Sequence, residues 1–412
     1  MSHPESYLDI VWGQFKKNRF AYAALWGLLP LSAVAVGAPL LASNQPLVFY
    51  DDGRTIFPWF RALLNPDEMV DYVFNVILLA TLPWLPLAVV TNVVARRRGV
   101  PGRRRLGWVL GELAALSLLL AAVLAIPGVR PTNPYRTRTF AMEEFRSPEH
   151  KRGIYVLIPF GPAEQDLDAI FRPPGFRKDR SLWRESNDGF VHLLGTDNTG
   201  RDVLVQMIYG TRISMTVGFV AVGLYLSIGI VVGALAGYFG GWLDIGISRI
   251  IEIVLVFPAF FLILTLVALI GPSIYIIMIV IGVTGWPTIA RLIRGEVLKQ
   301  RALDYVTASR ALGASQLRVL FRHVVPNSLS PALVAAPFGI ASAIIVEAAL
   351  SLLGFGVRPP APSWGTLLKL GSANYTYWWL VVVPSLGIFL TVAIFNLVGS
   401  GLRDALDPRL RM

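Results

Sequence analysis

Long uninterrupted runs of apolar residues alternate along this chain with short charged segments. A helix needs about 20 mostly apolar residues to cross a hydrocarbon layer about 30 Å thick. Because lipid offers no partner for backbone polar groups, runs of that length must be helices. The pattern therefore predicts an all-α membrane protein, a polytopic helical bundle of eight spans. The runs lie near residues 20–41, 72–95, 107–127, 213–238, 248–271, 273–290, 332–353 and 378–400.

The charged residues lie mostly beside these runs. Of the 412 residues, 54% are hydrophobic and 15% are charged, and the net charge is +11. Such a charge can indicate a nucleic-acid partner, but here it flanks the spans, as the positive-inside rule requires. We therefore expect the chain to contact membrane lipid and not to bind nucleic acid. The basic segments and both termini are expected to be cytoplasmic. These segments are residues 16–19, 96–105, 291–322 and the tail with Arg403, Arg409 and Arg411.

The spacing of the runs divides the chain into four regions. Residues 1–70 are predicted to hold a cytoplasmic segment, the first transmembrane helix and an outer loop, and residues 71–127 form a further transmembrane hairpin. Residues 128–192 are polar and contain no run that could span. They form an extracytoplasmic insert, which is either a small subdomain or a mostly irregular loop. Residues 193–412 hold closely spaced, glycine-rich spans that predict a compact core.

Glycines and prolines inside the spans indicate how the helices pack. Gly229, Gly233 and Gly237 recur at every fourth residue, so they share one helical face and allow a neighbouring backbone to approach closely. Prolines interrupt three spans and are expected to kink them. These prolines are Pro258, Pro287 and Pro384.

Two carboxylates, Glu252 and Glu347, are predicted to lie at membrane depth, where a charge is costly unless it is paired or hydrated. The sequence favours a structural role for both carboxylates, with Glu252 near Arg249 at the interface and Glu347 facing the bundle interior. The alternative is a proton-coupled secondary transporter that uses both as proton carriers.

Signatures of catalysis are absent from the sequence. It contains no GxxxxGK[ST] phosphate loop, no GxSxG elbow and no HExxH helix. There is no cysteine, and the four histidines show no metal-ligand spacing. We therefore expect no catalytic residue and no metal site. Uphill transport would need an ion gradient or a partner that hydrolyses nucleotide.

A polar segment at residues 304–327, DYVTASRALGASQLRVLFRHVVPN, interrupts the apolar core. Its pattern predicts two short amphipathic helices, with a sharp turn at Gly313 and an end at Pro326. Such a helix pair fits a groove of another protein or lies on lipid, and the periodicity favours neither. The apolar positions are Ala302, Leu303, Val306, Ala308, Ala311, Leu312, Leu317, Leu320 and Phe321.

The 304–327 segment resembles the cytoplasmic coupling motif of ABC-importer permeases, with Ala308, Gly313 and Pro326 in matching places. Thr307 and Ser309 stand where the general pattern has Glu and Ala, a departure that the dipeptide and oligopeptide branch shares.

Further blocks are similar to this dipeptide and oligopeptide branch. QFKKNRFAYAALWG, at residues 14–27, resembles the start of the first family helix. The hairpin at 72–127 departs from the family, because it adds two spans to the six that are expected, and the insert that follows is enlarged. The matching blocks are HLLGTDNTGRDVLVQMIYGTRIS at 192–214, YFGGWLD at 238–244, GVRPPAPSWG at 356–365 and FNLVGSGLRDALDPRL at 395–410.

The resemblance implies a multi-pass permease subunit of an ATP-driven importer for di- or oligopeptides in the bacterial cytoplasmic membrane. The chain would form half of the pathway, and a homologous permease would form the other half. Two separate ATPase subunits would bind ATP and magnesium, and this chain would bind no cofactor. An extracytoplasmic binding protein would deliver peptide to outer loops that include Gly356–Trp364. Oligosaccharides, nickel chelates and peptide-like antibiotics remain alternative substrates, because sister systems share these motifs.

The resemblance also implies roles for individual residues. Asp197, Arg201 and Asp202 are expected to brace the outer end of the core by charge pairing, and contact with the substrate is their alternative role. The cytoplasmic coupling loop spans residues 297–327. Its residues expected to contact the ATPase are Ala308, Arg310, Ala311, Leu312, Gly313, Ala314 and Leu317.

Overall fold

The computed structural model describes residues 7–66, 68–126, 129, 132–135, 140, 151–178 and 190–407. The basic residues Arg409 and Arg411, and the middle of the predicted 128–192 insert, lie outside the described residues.

Most of the described chain is helical. The N-terminal part forms α1 (Tyr7–Lys17), α2 (Arg19–Leu41), β1 (Val48–Asp51), β2 (Arg54–Ile56), α3 (Pro58–Leu64), α4 (Met69–Arg97) and α5 (Gly102–Ala125). Three short strands follow: β3 (Lys151–Ile154), β4 (Phe176–Lys178) and β5 (Phe190–His192). The C-terminal part forms α6 (Val203–Phe239), α7 (Gly241–Val256), α8 (Ala259–Ile270), α9 (Ile274–Gln300), α10 (Asp304–Ala311), α11 (Gln316–Val319), α12 (Val325–Ser328), α13 (Ser330–Leu352), α14 (Trp364–Ala373) and α15 (Trp379–Leu406).

The predicted apolar runs are helices, which confirms the polytopic helical fold. Within the described ranges, α2, α4, α5, α6, α9, α13 and α15 are each long and apolar enough to span a membrane. The run predicted at 248–271 is different, because it is broken into α7 and α8, which are bent by 83°. If this bent pair is one span, the structure has the predicted eight.

Proline chemistry explains where the bent pair breaks. Pro258 restricts the residue before it to extended backbone, and Phe257 accordingly has φ −79° and ψ 132°. The interruption predicted at Pro258 is therefore confirmed. Pro287 and Pro384 differ, since α9 and α15 continue through them as helices.

The chain divides into two compact units. One comprises Met1–Leu31, Ile213–Pro359 and Ser363–Met412, and the other comprises Ser32–Arg212 and Pro360–Pro362.

In the first unit, α6 packs directly on the backbone of α9. A Cβ atom added to Gly233 would lie 2.4 Å from the carbonyl oxygen of Ala290, and one added to Gly237 would lie 2.7 Å from that of Arg294. A Cβ atom added to Gly229 would lie 2.7 Å from the Cβ atom of Ile289. The three glycines therefore form the close-packing face that their spacing predicts. Elsewhere in this unit α13 packs against α14 and α15.

In the second unit, the loop after α2 forms a small sheet. Strand β1 pairs antiparallel with β2 and with β3, in the order β2–β1–β3. Ala42, just after α2, also bridges Ile158. The sequence predicted only an outer loop before residue 70, so the pairing of that loop with the insert at β3 is a new feature.

An ion pair between the buried Arg212 of α6 and Asp71 attaches the start of α4 to the rest of the second unit. Arg212 is 1% exposed, and its Nη1 donates to Asp71 Oδ1 at 2.7 Å. Its Nε donates to the carbonyl oxygen of Ala35 at 2.6 Å. Helix α4 then packs along α5. Within this hairpin, Thr91 Oγ1 donates to Glu112 Oε1 at 2.7 Å.

Replacing Gly233 by leucine tests the contact between α6 and α9. The side chain meets backbone, which cannot move aside, so we expect the free energy of unfolding to fall by about 1–3 kcal/mol. The matched control is Gly223→Leu, because a Cβ atom at Gly223 of the same helix has nothing within 4 Å. Thermal unfolding in detergent measures both variants, and equal melting temperatures would contradict the packing.

Candidate functional site

The 304–327 segment forms two short helices, α10 and α11, with Gly313 between them. Gly313 has φ +82°, in the left-handed region that glycine adopts without a steric cost. A Cβ atom there has nothing within 4 Å. The conformation of the backbone, and not a close neighbour, therefore requires glycine at this position.

The end of α10 is a complete Schellman motif. The Gly313 N–H donates to the Arg310 carbonyl oxygen at 2.9 Å, and the Ala314 N–H donates to that of Ser309 at 3.2 Å. These two bonds satisfy carbonyl groups that a helix end otherwise leaves unpaired. Ser315 then returns to extended backbone, with φ −64° and ψ 148°, and α11 begins. The turn is thus held by hydrogen bonds that Gly313 and the next residue donate to the end of α10.

The second helix does not end at Pro326, as the sequence predicted. It passes through a π-helical turn, Leu320–Val324, and continues as α12 to Ser328. Proline cannot donate to a carbonyl group of the preceding turn, and its ring clashes with that carbonyl group in an α-helix. The Val325 N–H reaches back five residues to the Leu320 carbonyl oxygen, so the wider turn accommodates the proline.

The apolar residues of the segment divide between two faces. Val306, Val319 and Leu320 are buried and fix the segment to its own unit. Leu312 is 89% exposed and Leu317 is 56% exposed, on the two sides of Gly313. The predicted single apolar stripe is therefore only partly buried, and its remainder forms an exposed apolar surface at the turn.

The residues predicted to contact an ATPase lie together around this turn. Six of them are exposed and Ala314 is half-buried. The six are Ala308, Arg310, Ala311, Leu312, Gly313 and Leu317. We call these six residues with Phe321, which is also exposed, the turn surface.

Arginines fasten the segment to the end of α6. Arg301 Nη1 donates to the carbonyl oxygens of Gly237 and Tyr238, at 2.9 and 3.2 Å. The Arg310 guanidinium lies 5.0 Å from the centroid of the Tyr238 ring, a favourable cation–π arrangement. Arg294 of α9 forms a two-pronged ion pair with Asp244 of α7, with Nη2 to Oδ2 at 2.7 Å. Sequence reasoning missed these partners, although Tyr238 and Asp244 are the first and last residues of YFGGWLD.

In the second unit, Asp197 is the centre of a tight turn and is fully buried. Its Oδ1 accepts hydrogen bonds from the N–H groups of Thr199 and Arg201, at 2.8 and 3.0 Å. Its Oδ2 accepts from Arg201 Nε at 2.8 Å and from Gln206 Nε2 at 2.9 Å. Each carboxylate oxygen therefore has at least two donors, and the buried charge of Arg201 is balanced.

Asp202 caps the N-terminus of α6. Its Oδ1 accepts from the Val205 N–H at 2.9 Å, and its Oδ2 lies 2.8 Å from His192 Nδ1. An aspartate at this position satisfies an unpaired N–H of the first helical turn. The His192 ring stacks on Phe160 at 4.5 Å between centroids. Asp197, Arg201 and Asp202 thus lie together, but Asp202 pairs with a histidine that sequence reasoning did not assign.

The two carboxylates at membrane depth have different environments. Glu252 is exposed and pairs with Arg249, with Oε2 to Nη1 at 2.6 Å. Glu347 is fully buried, and its Oε1 accepts from Ser351 Oγ at 2.8 Å and from Ser363 Oγ at 2.7 Å. Ser363 also caps α14 by accepting from the Gly365 N–H. Glu347 therefore joins α13 to the start of α14, in the interior position that the structural interpretation predicts.

Two family models match this chain. A model of the binding-protein-dependent transport system inner membrane component matches residues 229–412, and one of the N-terminal TM domain of oligopeptide transport permease C matches residues 6–61. The dipeptide transport system permease protein DppC of Haemophilus influenzae is 41% identical over 62% of this chain and 84% of that protein. DppC of Escherichia coli is 44% identical over 62% and 83%, respectively. The oligopeptide transport system permease protein OppC of Bacillus subtilis is 40% identical over 60% and 82%.

Replacing Asp197 by asparagine tests the tight turn. The amide keeps the shape but has one acceptor oxygen instead of two, so it leaves the buried Arg201 charge without its partner. We expect a loss of about 3–5 kcal/mol in the free energy of unfolding. The control is Asp168→Asn, an exposed carboxylate of the same unit. Thermal unfolding of both variants in detergent is the measurement, and an unchanged Asp197→Asn protein would show that the turn does not need the charge.

Proposed function

The chain belongs to the dipeptide and oligopeptide permease family of binding-protein-dependent ABC importers, and from this premise we propose that it forms half of a transmembrane pathway for di- and oligopeptides. The curated relatives reported above carry dipeptide or oligopeptide transport in their names, and this supports peptide as the substrate class. The other half of the pathway is a homologous permease. Two ATPase subunits hold ATP and magnesium, and an extracytoplasmic binding protein delivers the peptide.

The turn surface carries this proposal, because it supplies what an ATPase partner needs to bind. Leu312, Leu317 and Phe321 are exposed apolar side chains on a backbone that the Schellman motif holds in one conformation. A preformed apolar surface of this kind binds a partner groove with little loss of conformational entropy. The sequence contains no phosphate loop of its own, so the energy of ATP must come from such a partner.

Movement of the turn surface passes to the spans through two connections. Helix α10 follows α9 after only residues 301–303, and Arg301 and Arg310 join the segment to Tyr238 at the end of α6. Because α6 and α9 touch along the glycine face, both helices move with the segment. Closure of the ATPases on ATP then changes the position of α6 and α9 and alternates access to the pathway.

The orientation of the chain follows from its arginines. The turn between α4 and α5 and the segment after α9 carry the basic residues, which the positive-inside rule places in the cytoplasm. The turn surface then faces the cytoplasm, where ATP is available, and both termini are cytoplasmic. Asp197, Arg201 and Asp202 brace the outer start of α6, and the loop Gly356–Trp364 meets the binding protein.

Purification of the tagged chain from its native membrane in mild detergent tests the assembly. We expect two ATPase subunits and a second permease to be recovered with it, and peptide-stimulated ATP hydrolysis in the presence of the binding protein. Recovery of the chain alone would refute the importer assembly. Stimulation by an oligosaccharide or a nickel chelate, but not by peptide, would keep the assembly and correct the substrate.

Gly313 variants test the turn surface. Gly313→Val puts a β-branched residue at φ +82° and should reduce peptide uptake by tenfold or more, because the turn loses its conformation. Gly313→Asn should retain more uptake, since asparagine tolerates the left-handed region. The control is Gly295→Val in α9, where a Cβ atom also has nothing within 4 Å but no positive φ is required. Radiolabelled peptide uptake measures all three at equal membrane levels, and wild-type uptake by Gly313→Val would contradict the coupling role.

Glu347 distinguishes an importer permease from a proton-coupled carrier. Glu347→Gln keeps an acceptor oxygen for Ser351 and Ser363 but cannot release a proton, so a permease should retain most of its uptake. Glu347→Leu removes the acceptor and should lower the melting temperature, because the two buried serines lose their partner. Loss of uptake in Glu347→Gln, with normal membrane levels and melting temperature, would favour the carrier.

A further inference from the structure

The turn of the hairpin α4–α5 carries a concentration of positive charge that the proposed function does not use. Arg96 and Arg97 end α4, Arg98 follows, and Arg103, Arg104 and Arg105 begin α5. We call these six residues the arginine turn. The hairpin lies outside both ranges that the family models match, residues 6–61 and 229–412.

No acidic residue lies near the arginine turn in the sequence. None occurs between Asp71 and Glu112, so this stretch has a net charge of six positive units. Ion pairs between arginine and a carboxylate in the described chain are made by Arg201, Arg212, Arg249 and Arg294, and none by the described side chains of the arginine turn. Arg96, Arg97, Arg98 and Arg104 are exposed.

The other basic segments differ in this respect. The basic segment at residues 291–322 contains Glu296 and Asp304, and its Arg294 pairs with Asp244. Membrane orientation alone needs an excess of positive charge and does not need the charge to be left without any counter-charge. The arginine turn therefore presents exposed positive charge that no carboxylate of the described chain neutralises and that attracts an anionic partner.

The surroundings of the arginine turn indicate what that partner is. Within one or two turns of the arginines, Val93 and Val94 on α4 and Leu106 and Trp108 on α5 are exposed. Exposed aliphatic residues on spanning helices face lipid tails, and tryptophan is enriched at the boundary between tails and headgroups. The exposed guanidinium groups of Arg96, Arg97, Arg98 and Arg104 then lie at the depth of lipid phosphates, to which arginine donates two parallel hydrogen bonds.

We propose that the arginine turn binds the headgroups of anionic phospholipids and fixes the depth of the α4–α5 hairpin in the bilayer. Its unbalanced charge lies next to lipid-facing side chains on two helices that leave the bilayer together. A soluble acidic protein would match the charge but not the apolar residues beside it.

Lipid binding by the intact complex tests this proposal. The complex is purified in detergent and titrated with phosphatidylglycerol or phosphatidylcholine, and the bound lipid is counted by native mass spectrometry. We expect the wild type to prefer phosphatidylglycerol. Arg97→Gln with Arg104→Gln should weaken phosphatidylglycerol binding by about 30-fold, the effect of two surface charges.

Two matched variants control for charge and for insertion. Arg54→Gln with Arg152→Gln removes two exposed arginines of the β1–β3 sheet and should leave lipid binding unchanged. Arg97→Lys with Arg104→Lys keeps the charge that orients the hairpin and should bind within a few-fold of the wild type. A loss as large as that of the glutamine variant would show that charge is not the determinant.

The remaining outcomes separate the other sources of negative charge. Equal binding of the two lipids by the wild type, or equal binding by the wild type and the glutamine variant, would overturn the proposal. Displacement of phosphatidylglycerol by millimolar inorganic phosphate would indicate a site for a soluble anion instead. If the glutamine variant bound lipid normally but lost a protein subunit during purification, the partner would be an acidic protein surface.

Discussion

The contact of α6 with α9 through three glycines is the constraint on which the rest of the first unit depends. Because a Cβ atom added to Gly229, Gly233 or Gly237 would lie within 3 Å of α9, the two helices approach too closely for any larger residue at these positions. The end of α6 provides Tyr238, and the end of α9 continues into the 304–327 segment. The close contact therefore determines where Arg301 and Arg310 find their partners, and hence where the turn surface lies.

In both units, polar side chains form hydrogen bonds at the ends of the helices, where the apolar faces stop. Asp202 caps the start of α6, Arg301 pairs with carbonyl oxygens at its end, and Glu347 joins α13 to the cap of α14. In a bilayer the helices gain little from the hydrophobic effect against one another, because lipid tails are equally apolar. Hydrogen bonds and ion pairs at the helix ends therefore carry much of the specificity of this fold.

Local features of the structure were predictable from the sequence, whereas long-range pairings were not. The spans follow from the length of apolar runs, the turn from Gly313 and the break in one span from Pro258, each within a few residues of the signal. The sheet joins β1 to β3 across about a hundred residues, and the tyrosine partner of Arg310 lies 72 residues away. Neither of these pairings leaves a periodic pattern in the sequence. The continuation of the helix past Pro326 was missed because sequence rules assume α-helical spacing, and the π turn does not have it.

That π turn also determines how far the turn surface is rotated about the helix axis relative to α13. Each residue of an α-helix advances about 100° around the axis, so the additional residue in Leu320–Val324 rotates everything before it by that amount relative to α13. A sequence one residue shorter at this point, with Pro326 replaced, would remain fully α-helical and would orient Leu312 and Leu317 away from their present direction. The direction in which the turn surface points therefore depends on the number of residues in this segment as much as on their identity.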